Sequence, residues 1–273
     1  MNHRNRIIEL EGALNVRELG GLELKNGRKV KSGKLIRSGR LSDLTESDKQ
    51  VLREKWNVTT IVDLRNEQEI LEHPDKELDG AVLKHICLLS GEKKGISRED
   101  FGMSISLFAI NRAQSLLEEG GSRKLLEGMY GQMACNKDCI ERITEFFELI
   151  LSQKDGSLIW HCTSGKDRTG VLGVLLLWAL GADLETIKAD YLYTNRQNTG
   201  YRENLLERMR KRGAESHVVE EMRILESVDW IYIESFLKSL EETYGSIDAF
   251  LTNKIGINEE RKKQLLELYT EHC

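Results

Sequence analysis

The sequence lacks the long hydrophobic runs of a membrane protein. Its longest apolar stretch, from Val171 to Ala182, is twelve residues long, against the ~20 that a membrane-spanning helix needs. The first residues, MNHRNRIIELEG, include basic side chains but are followed by no apolar segment of signal-peptide length. These absences predict a cytoplasmic protein without stable insertion into a membrane.

An excess of positive charge is also absent. The chain has 40 lysines and arginines against 45 aspartates and glutamates, which gives a net charge of −5 at pH 7. Proteins that bind nucleic acids or anionic membranes through a broad surface need an overall basic field. We therefore predict no nucleic-acid partner, and any anion must be recognised by a local group of residues.

Cysteines are few and odd in number, which argues against a disulfide framework. The five are scattered as Cys87, Cys135, Cys139, Cys162 and Cys273, whereas secreted disulfide scaffolds carry even numbers at regular spacings. No second cysteine pair follows Cys135 and Cys139, and the six histidines do not sit at ligand spacings. We expect reduced thiols, no metal ion and no cofactor.

Linker sequences are missing as well. The chain contains a single proline, Pro74, and has no stretch rich in proline, glycine and serine, no low-complexity segment and no internal repeat. The sequence therefore predicts one domain over residues 1–273.

Residues 91–135 form the least regular part of this domain. The stretch GEKKGISREDFG is typical of a loop, and two moderately amphipathic helices are predicted behind it. Long insertions in compact domains are often functional lids. With apolar Ile105, Leu107, Phe108 and Ile110 close together, the insertion is a candidate flap over a binding site.

Strand signals are spread over the first 161 residues. Asn26 and Gly27 stand between two alternating segments, the strongest short-range signal for a β-hairpin. Runs of β-branched and apolar residues bounded by polar ones predict further strands. These runs cover residues 35–39, 58–64, 81–88 and 157–161.

Helical patterns alternate with these strands. Thr45 is a candidate N-cap, residues 66–72 form a short helical segment closed by Pro74, and residues 139–152 have strong helical spacing. Everything after residue 183 is predicted to be helical. This order of elements predicts an α/β fold, with a central, mainly parallel sheet flanked by helices and a helical C-terminal part.

The stretch HCTSGKDRTG carries the chemistry. A strand ending at His161, a tight loop from Cys162 to Asp167 and a helix starting near Arg168 would curl consecutive backbone N–H groups into one concavity. Such a nest at a helix N-terminus binds a tetrahedral anion. The same field favours a thiolate at Cys162, because cysteine beside a cation at a helix N-terminus has a lowered pKa.

Other residues of this stretch fit the same anion. The planar guanidinium of Arg168 can hold two phosphate oxygens at once. Gly165 fits a position with positive φ or a close approach to a ligand, and the hydroxyl of Thr169 can donate to the thiolate or the loop. The alternative, a buried structural cysteine, leaves Lys166, Asp167 and Arg168 crowded together without reason.

HCTSGKDRTG resembles the HC-x5-R signature of cysteine-dependent phosphatases, and its GKDRTG form is similar to the bacterial tyrosine/serine phosphatases of the dual-specificity-like group. Further segments resemble that family in the same order. They are LNVRELGG (14–21), GKLIRSGRLSDLTESD (33–48), TTIVDLRNEQE (59–69), ADYLYTN (189–195) and YGSIDAFL (244–251). The resemblance implies a phosphatase fold and hydrolysis through a cysteinyl-phosphate without a metal. Two departures are Glu18, where the family commonly has aspartate, and residues 91–135, which match no family segment.

The mechanism that follows assigns roles along the loop. Cys162 attacks phosphorus, while Arg168 and the N–H groups from Thr163 to Arg168 hold the phosphate oxygens. The predicted phosphate-binding residues are Thr163, Ser164, Gly165, Lys166 and Thr169.

Two aspartates compete as the general acid. Asp167 lies in the loop, and Asp63 ends a predicted strand whose carboxyl end should adjoin the loop. Asp63 is equally well explained as a structural ion-pair partner of Arg65 or Arg17. Arg65 and Arg37 are further candidates that could reach the same mouth. The sequence favours Asp167 narrowly, because its position needs no assumption about the fold.

Lys166 adds a flexible cation that suits a substrate with more than one anionic group. We therefore expect a phosphorylated protein or a phosphoinositide as the partner molecule. The rival functions are a phosphate-binding module without turnover and a sulfurtransferase. The Cys162 to Arg168 spacing, Lys166 and a candidate acid argue against both.

Overall fold

A computed structural model of the chain describes residues 6–25, 27–89 and 105–272, and over residues 105–108 it describes the backbone alone. Along the chain its strands are β1 (Arg17–Glu18), β2 (Arg28–Val30), β3 (Leu35–Ser38), β4 (Val58–Asp63), β5 (Val82–His85), β6 (Ser157–His161) and β7 (Thr270–His272). Five of them form the central sheet, in the order β1-β3-β6-β4-β5. Strands β3, β6, β4 and β5 run parallel, and β1 is antiparallel to β3.

Helices pack on the sheet and build the C-terminal part, which confirms the predicted fold class. In chain order they are α1 (Glu46–Gln50), α2 (Glu67–Glu72), α3 (Ile105–Glu118), α4 (Ser122–Cys135), α5 (Lys137–Ser152), α6 (Asp167–Ala179), α7 (Leu184–Gln197), α8 (Thr199–Lys211), α9 (Ser216–Leu225), α10 (Trp230–Tyr244), α11 (Ile247–Ala249) and α12 (Glu259–Tyr269). π-helical turns continue α1 and α11 over Val51–Lys55 and Phe250–Lys254.

Strand β6 lies at the centre of the sheet and is buried on both faces. Leu158 and Trp160 join one hydrophobic cluster, and Ile159 between them joins the cluster on the opposite face. This alternation follows from the two-residue period of a strand. Because β3 and β4 run parallel to β6, the carboxyl ends of all three strands lie at the same edge of the sheet. The segment that begins with Cys162 leaves β6 at this edge.

The apolar run noted in the sequence forms helix α6. All but one of its residues from Arg168 to Ala179 are buried, as expected for a helix that is hydrophobic all round and packed in a core. Among the described residues, no helix is both long and apolar enough to cross a membrane.

The described part of the insertion consists of α3 and α4. Ala109, Ala113 and Leu116 of α3 belong to a separate hydrophobic cluster with residues of α8 and α9, and Ile110 packs against it. Residues 91–104 lie outside the described residues, as do the side chains of Ile105, Leu107 and Phe108. The flap therefore stays a prediction.

Local signals agree with the structure in most places. Thr45 caps α1 in a capping box with Asp48, as predicted. Leu24 N–H donates to the Arg28 carbonyl across Gly27, whose φ is 71°, in line with the predicted hairpin; Asn26 lies outside the described residues. The prediction that all residues after 183 are helical is wrong at the end, because β7 pairs with the open edge of β2.

Candidate active site

The cysteine loop, residues 162–166, connects β6 to α6 in a tight turn. Helix α6 begins at Asp167, one residue earlier than predicted. Gly165 has φ 65°, and a Cβ there would lie 2.5 Å from the Ser38 carbonyl oxygen. Both the dihedral angle and the close approach to β3 require glycine at this position. The loop therefore presses against the carboxyl end of the neighbouring strand.

Side chains behind the cysteine loop fix the direction of its peptide groups. The Asn15 amide nitrogen donates to the carbonyl oxygens of Gly165 (2.8 Å) and Ser164 (3.3 Å), and Arg37 donates to the Gly165 carbonyl (3.2 Å). In a trans peptide the N–H points opposite to the C=O. The N–H groups of Gly165 and Lys166 therefore point away from Asn15, which gives the concavity that binds anions elsewhere.

The Cys162 thiol is set up to ionise although it is only 2% exposed. Burial opposes the thiolate, but the Arg168 charge, together with hydrogen bonding from the side chain and amide of Thr169, lowers the pKa of Cys162 below its ordinary value. The Thr169 hydroxyl has no competing hydrogen-bond partner among the described residues. Its proton is therefore available to the Cys162 sulfur. A thiolate is the nucleophilic form of cysteine.

Arg168 is held by Glu69 of α2 in a buried bidentate ion pair. Its two terminal nitrogens donate to the Glu69 carboxylate oxygens at 2.7 and 2.6 Å. The Thr163 hydroxyl donates to the same carboxylate at 2.5 Å. Burial would raise the pKa of Glu69, but Arg168 and these hydrogen bonds lower it to about 2. The pair fixes the orientation of the guanidinium next to Cys162.

A second carboxylate, Asp190 of α7, gathers three buried arginines behind the cysteine loop. Arg6, Arg17 and Arg37 contact its oxygens at 2.9, 3.1 and 2.8 Å. Burial opposes its charge, yet the three cations hold the pKa of Asp190 far below its usual range. Burial and the neighbouring Arg37 lower the pKa of Arg17 to about 9. Three cations thus surround one carboxylate behind the anion-binding loop.

Asp63 lies near the site but is already paired. Arg65 binds both of its carboxylate oxygens, with Nε to Oδ1 at 3.0 Å and Nη2 to Oδ2 at 2.8 Å. Of the two partners considered from the sequence, Arg65 is the one observed. Arg65 also reaches Asp75 at 3.0 Å. Arg65 therefore does not extend to the mouth of the loop, because its buried guanidinium is held by Asp63 and Asp75.

His161 completes this second network. Its Nε2 is 2.9 Å from Asp75, and burial, which disfavours the charged ring, is outweighed by Asp75 and Asp63, so that the pKa of His161 is raised. Asp63, Asp75 and His161 are close enough together to share one ion. Since Arg65 already supplies a positive charge to both carboxylates, we interpret the group as an ion-pair network that anchors the end of β6.

A pocket of about 430 Å³, counting its open mouth, adjoins the cysteine loop. Its walls come from the loop, the start of α6, the insertion helix α4, the end of α9 and the segment after β5. The lining residues are Leu89, Met129, Ser164, Lys166, Asp167, Arg168, Leu225 and Glu226. The pocket therefore brings Lys166, Asp167 and Arg168 to one opening, while Cys162 lies buried at the start of the loop.

Sequence reasoning missed several residues of the site. Glu69 had a local signal, since Asn66 and Glu69 form the capping box of α2, but nothing in that pattern names Arg168 as its partner. Asn15 and Asp190 lie in segments that resemble the family and had no role assigned. Tyr130, whose hydroxyl donates to Asp167 at 2.8 Å, sits in the insertion that matched no family segment.

The Glu69 ion pair predicts a specific pH dependence of stability. A carboxylate whose folded pKa is about 2 stabilises the fold fully above its ordinary pKa near 4.5 and loses that contribution as pH falls towards 2. We expect Glu69→Gln to be less stable than wild type by roughly 3 kcal/mol at pH 6, and the difference to shrink at pH 3. Urea unfolding at both pH values measures it.

Glu67→Gln is the matched control, because Glu67 occupies the first turn of the same helix but is exposed. It should change stability by less than about 0.5 kcal/mol at either pH. Asp75 and Asp190 are present in all three proteins and cancel in the differences. A Glu69→Gln difference that stays constant from pH 6 to pH 3 contradicts the assignment.

Comparison with known proteins confirms the family resemblance of the sequence. The model of the tyrosine phosphatase family matches residues 8–271. A Cupriavidus necator protein named as a tyrosine-protein phosphatase is 34% identical over 107 residues, which are 39% of this chain and 38% of that protein. The triple specificity protein phosphatase PtpB of Mycobacterium tuberculosis is 23% identical over 281 residues, covering 90% of this chain and 92% of PtpB. Since the family match extends over nearly the whole described structure, the chain belongs to the tyrosine phosphatase family.

Proposed function

We propose that this phosphatase hydrolyses phosphate monoesters, phosphotyrosine among them, through a cysteinyl-phosphate on Cys162 and without a metal ion. The observation that carries the proposal is the geometry of the loop between β6 and α6, which places the buried Cys162 thiol beside the Arg168 charge that lowers its pKa. The Arg168 guanidinium, fixed by Glu69, stands beside it. Nucleophile, anion nest and fixed cation are the parts that phosphoryl transfer by a cysteine needs.

In the first step the Cys162 thiolate attacks phosphorus in line. The S–P bond forms as the ester P–O bond breaks, and Asp167 gives its proton to the leaving oxygen. Arg168 and the N–H groups of residues 163–168 take the three phosphate oxygens, and in doing so they supply the positive charge that a metal ion supplies in other phosphatases.

In the second step water attacks the phosphorus of the cysteinyl-phosphate. Asp167, now ionised, accepts a proton from the water, the new P–O bond forms and the S–P bond breaks. Inorganic phosphate leaves, and the Cys162 thiolate and protonated Asp167 are restored. The same carboxyl group thus acts as acid and then as base.

The choice of Asp167 over Asp63 rests on what each carboxyl group contacts. Both oxygens of Asp63 accept hydrogen bonds from Arg65 and the residue is 2% exposed, so neither oxygen is available to a substrate. Asp167 lines the pocket, and 21% of its side chain is exposed. A general acid must come within hydrogen-bond reach of the leaving oxygen, which favours Asp167.

We extend the proposal to phosphoinositides because of Lys166. Its ammonium donates to the Leu225 carbonyl and lies 3.7 Å from Asp167 Oδ2. An ammonium group has three donors, so one bond to a carbonyl leaves donors for a second anionic group in the pocket. The triple specificity named for one relative is consistent with a site that accepts several substrate classes.

Cys162→Ser tests the covalent step. Turnover of para-nitrophenyl phosphate should fall below about 1% of wild type, because a serine hydroxyl at this position remains protonated, while tungstate should still bind. Mass spectrometry of acid-quenched wild type should find a phosphoryl group on the Cys162 peptide. Cys135→Ser, which changes an exposed thiol at the end of α4, is the control and should keep full activity. Turnover above a few per cent in Cys162→Ser ends the covalent hypothesis.

Asp167→Asn and Asp63→Asn separate the two carboxyl groups. Loss of a general acid lowers the rate by about 10²- to 10⁴-fold for a poor leaving group such as an alkyl phosphate, and by less for para-nitrophenyl phosphate. We expect that dependence in Asp167→Asn alone. Asp63→Asn should instead lower stability, since it leaves Arg65 with one buried partner fewer. If only Asp63→Asn shows the leaving-group dependence, the roles must be reversed.

Lys166→Ala tests the wider substrate range. The variant should lose at least about fivefold more activity on a phosphoinositide than on para-nitrophenyl phosphate, because only the former carries a second phosphate for the ammonium to bind. Lys166→Met, which keeps most of the length without the charge, should behave in the same way. Equal losses on both substrates refute this role for Lys166.

A further inference from the structure

A hydrogen-bonded chain of two buried tyrosines ends on Asp167. The Tyr130 hydroxyl donates to Asp167 Oδ1 at 2.8 Å, and it lies 2.8 Å from the Tyr191 hydroxyl. Tyr130 comes from helix α4 of the insertion and Tyr191 from α7, and both side chains are fully buried. Neither residue takes part in the reaction steps described above.

Counting protons gives the direction of the chain. An ionised carboxylate only accepts hydrogen bonds, so the single proton of the Tyr130 hydroxyl is used on Asp167. The Tyr191 hydroxyl must then donate to the oxygen of Tyr130. Burial, with Asp167 as the next cause, raises the pKa of both phenols well above the ordinary value. Both groups therefore remain protonated donors at neutral pH.

The rings are held as firmly as the hydroxyls. The Tyr130 ring packs on Tyr232 of α10 with centroids 5.7 Å apart, and the Tyr191 ring packs on Trp230 at 6.1 Å. Gly170, the last residue of HCTSGKDRTG, has no side chain, and a Cβ there would lie 2.9 Å from the Tyr191 ring. The absence of a side chain at Gly170 thus lets Tyr191 approach the first turn of α6, where Asp167 stands.

The two oxygens of Asp167 consequently have different surroundings. Oδ1 is occupied by Tyr130, whereas Oδ2 lies 3.7 Å from the Lys166 ammonium, and Lys166 lines the pocket. When Asp167 is neutral, a donor fixed on Oδ1 favours the proton on Oδ2. The transferable proton is then carried by the oxygen that is not bound to Tyr130 and that faces Lys166 of the pocket lining.

We propose that Tyr130, supported by Tyr191, is a positioning residue that holds Asp167 with Oδ2 directed at the leaving group. The inference rests on the proposed function, in which Asp167 is the general acid. Helix α4 of the insertion then helps to orient the general acid, because Tyr130 belongs to it. Without the Tyr130 hydroxyl the carboxyl group rotates and its proton is shared between two oxygens.

The test compares the effect of Tyr130→Phe on kcat/KM for aryl and alkyl phosphates whose leaving groups differ in pKa. Phenylalanine keeps the ring that packs on Tyr232. We expect a loss of about tenfold or more for an alkyl phosphate and of less than about twofold for para-nitrophenyl phosphate, since a misplaced acid loses part of the roughly 10²- to 10⁴-fold contribution of general acid catalysis, on which a good leaving group depends little. Tyr191→Phe should give a smaller loss with the same leaving-group dependence.

Three further variants separate the possible failures. Tyr232→Phe removes a neighbouring hydroxyl that makes no described bond to Asp167, and it should leave the dependence on leaving group unchanged. Asp167→Asn is the reference for loss of the acid. In the double variant with Tyr130→Phe, the dependence of kcat/KM on the leaving group should be the same as in Asp167→Asn alone. If Asp167→Asn itself shows none, Asp167 is not the general acid and that part of the proposed function fails. If Asp167→Asn shows it while Tyr130→Phe and Tyr191→Phe do not, or lose activity equally on all substrates, the positioning role is wrong.

Discussion

The site depends above all on the ion pair between Arg168 and Glu69. A guanidinium without a partner is costly to bury, and a flexible one would hold phosphate oxygens poorly. Two hydrogen bonds of 2.7 and 2.6 Å to one carboxylate satisfy part of its donors and fix its plane. Glu69 also closes the capping box at the start of α2. The same side chain therefore fixes both the start of this short helix and the orientation of Arg168.

Buried arginines are paired with carboxylates at two further places around the cysteine loop. Arg65 is held by Asp63 and Asp75, and three arginines share Asp190. An ionised Cys162 thiol is a further anion beside these cations, since the Arg168 charge lowers its pKa. Burial makes each of these interactions stronger than it would be in water. The fold thus fixes each of these arginines by at least one buried carboxylate.

The parts of this architecture that sequence could predict are those with local causes. The buried strand 157–161, the turn at Gly165 and the Thr45 cap each depend on neighbouring residues, and the structure has all three. The Arg168 partner Glu69 and the Asp167 partner Tyr130 lie 99 and 37 positions away, so no periodicity or cap links them. Asp63 illustrates the same limit: its place at a strand end was predictable, whereas its commitment to Arg65 depends on side-chain geometry.

The pairing of β2 with β7 has a consequence for how the chain comes to be folded. Residues 28–30 bond to residues 270–272, and β3 bonds to β6 more than a hundred residues later. Contacts this distant in sequence form late, because the loops between them must first be closed. On the ribosome, where domains are completed as the chain emerges, neither the loop of Cys162 nor the last strand pair can assemble from an N-terminal fragment. The pairing of β2 with β7 is therefore a late step of folding, because its two strands lie about 240 residues apart in the chain.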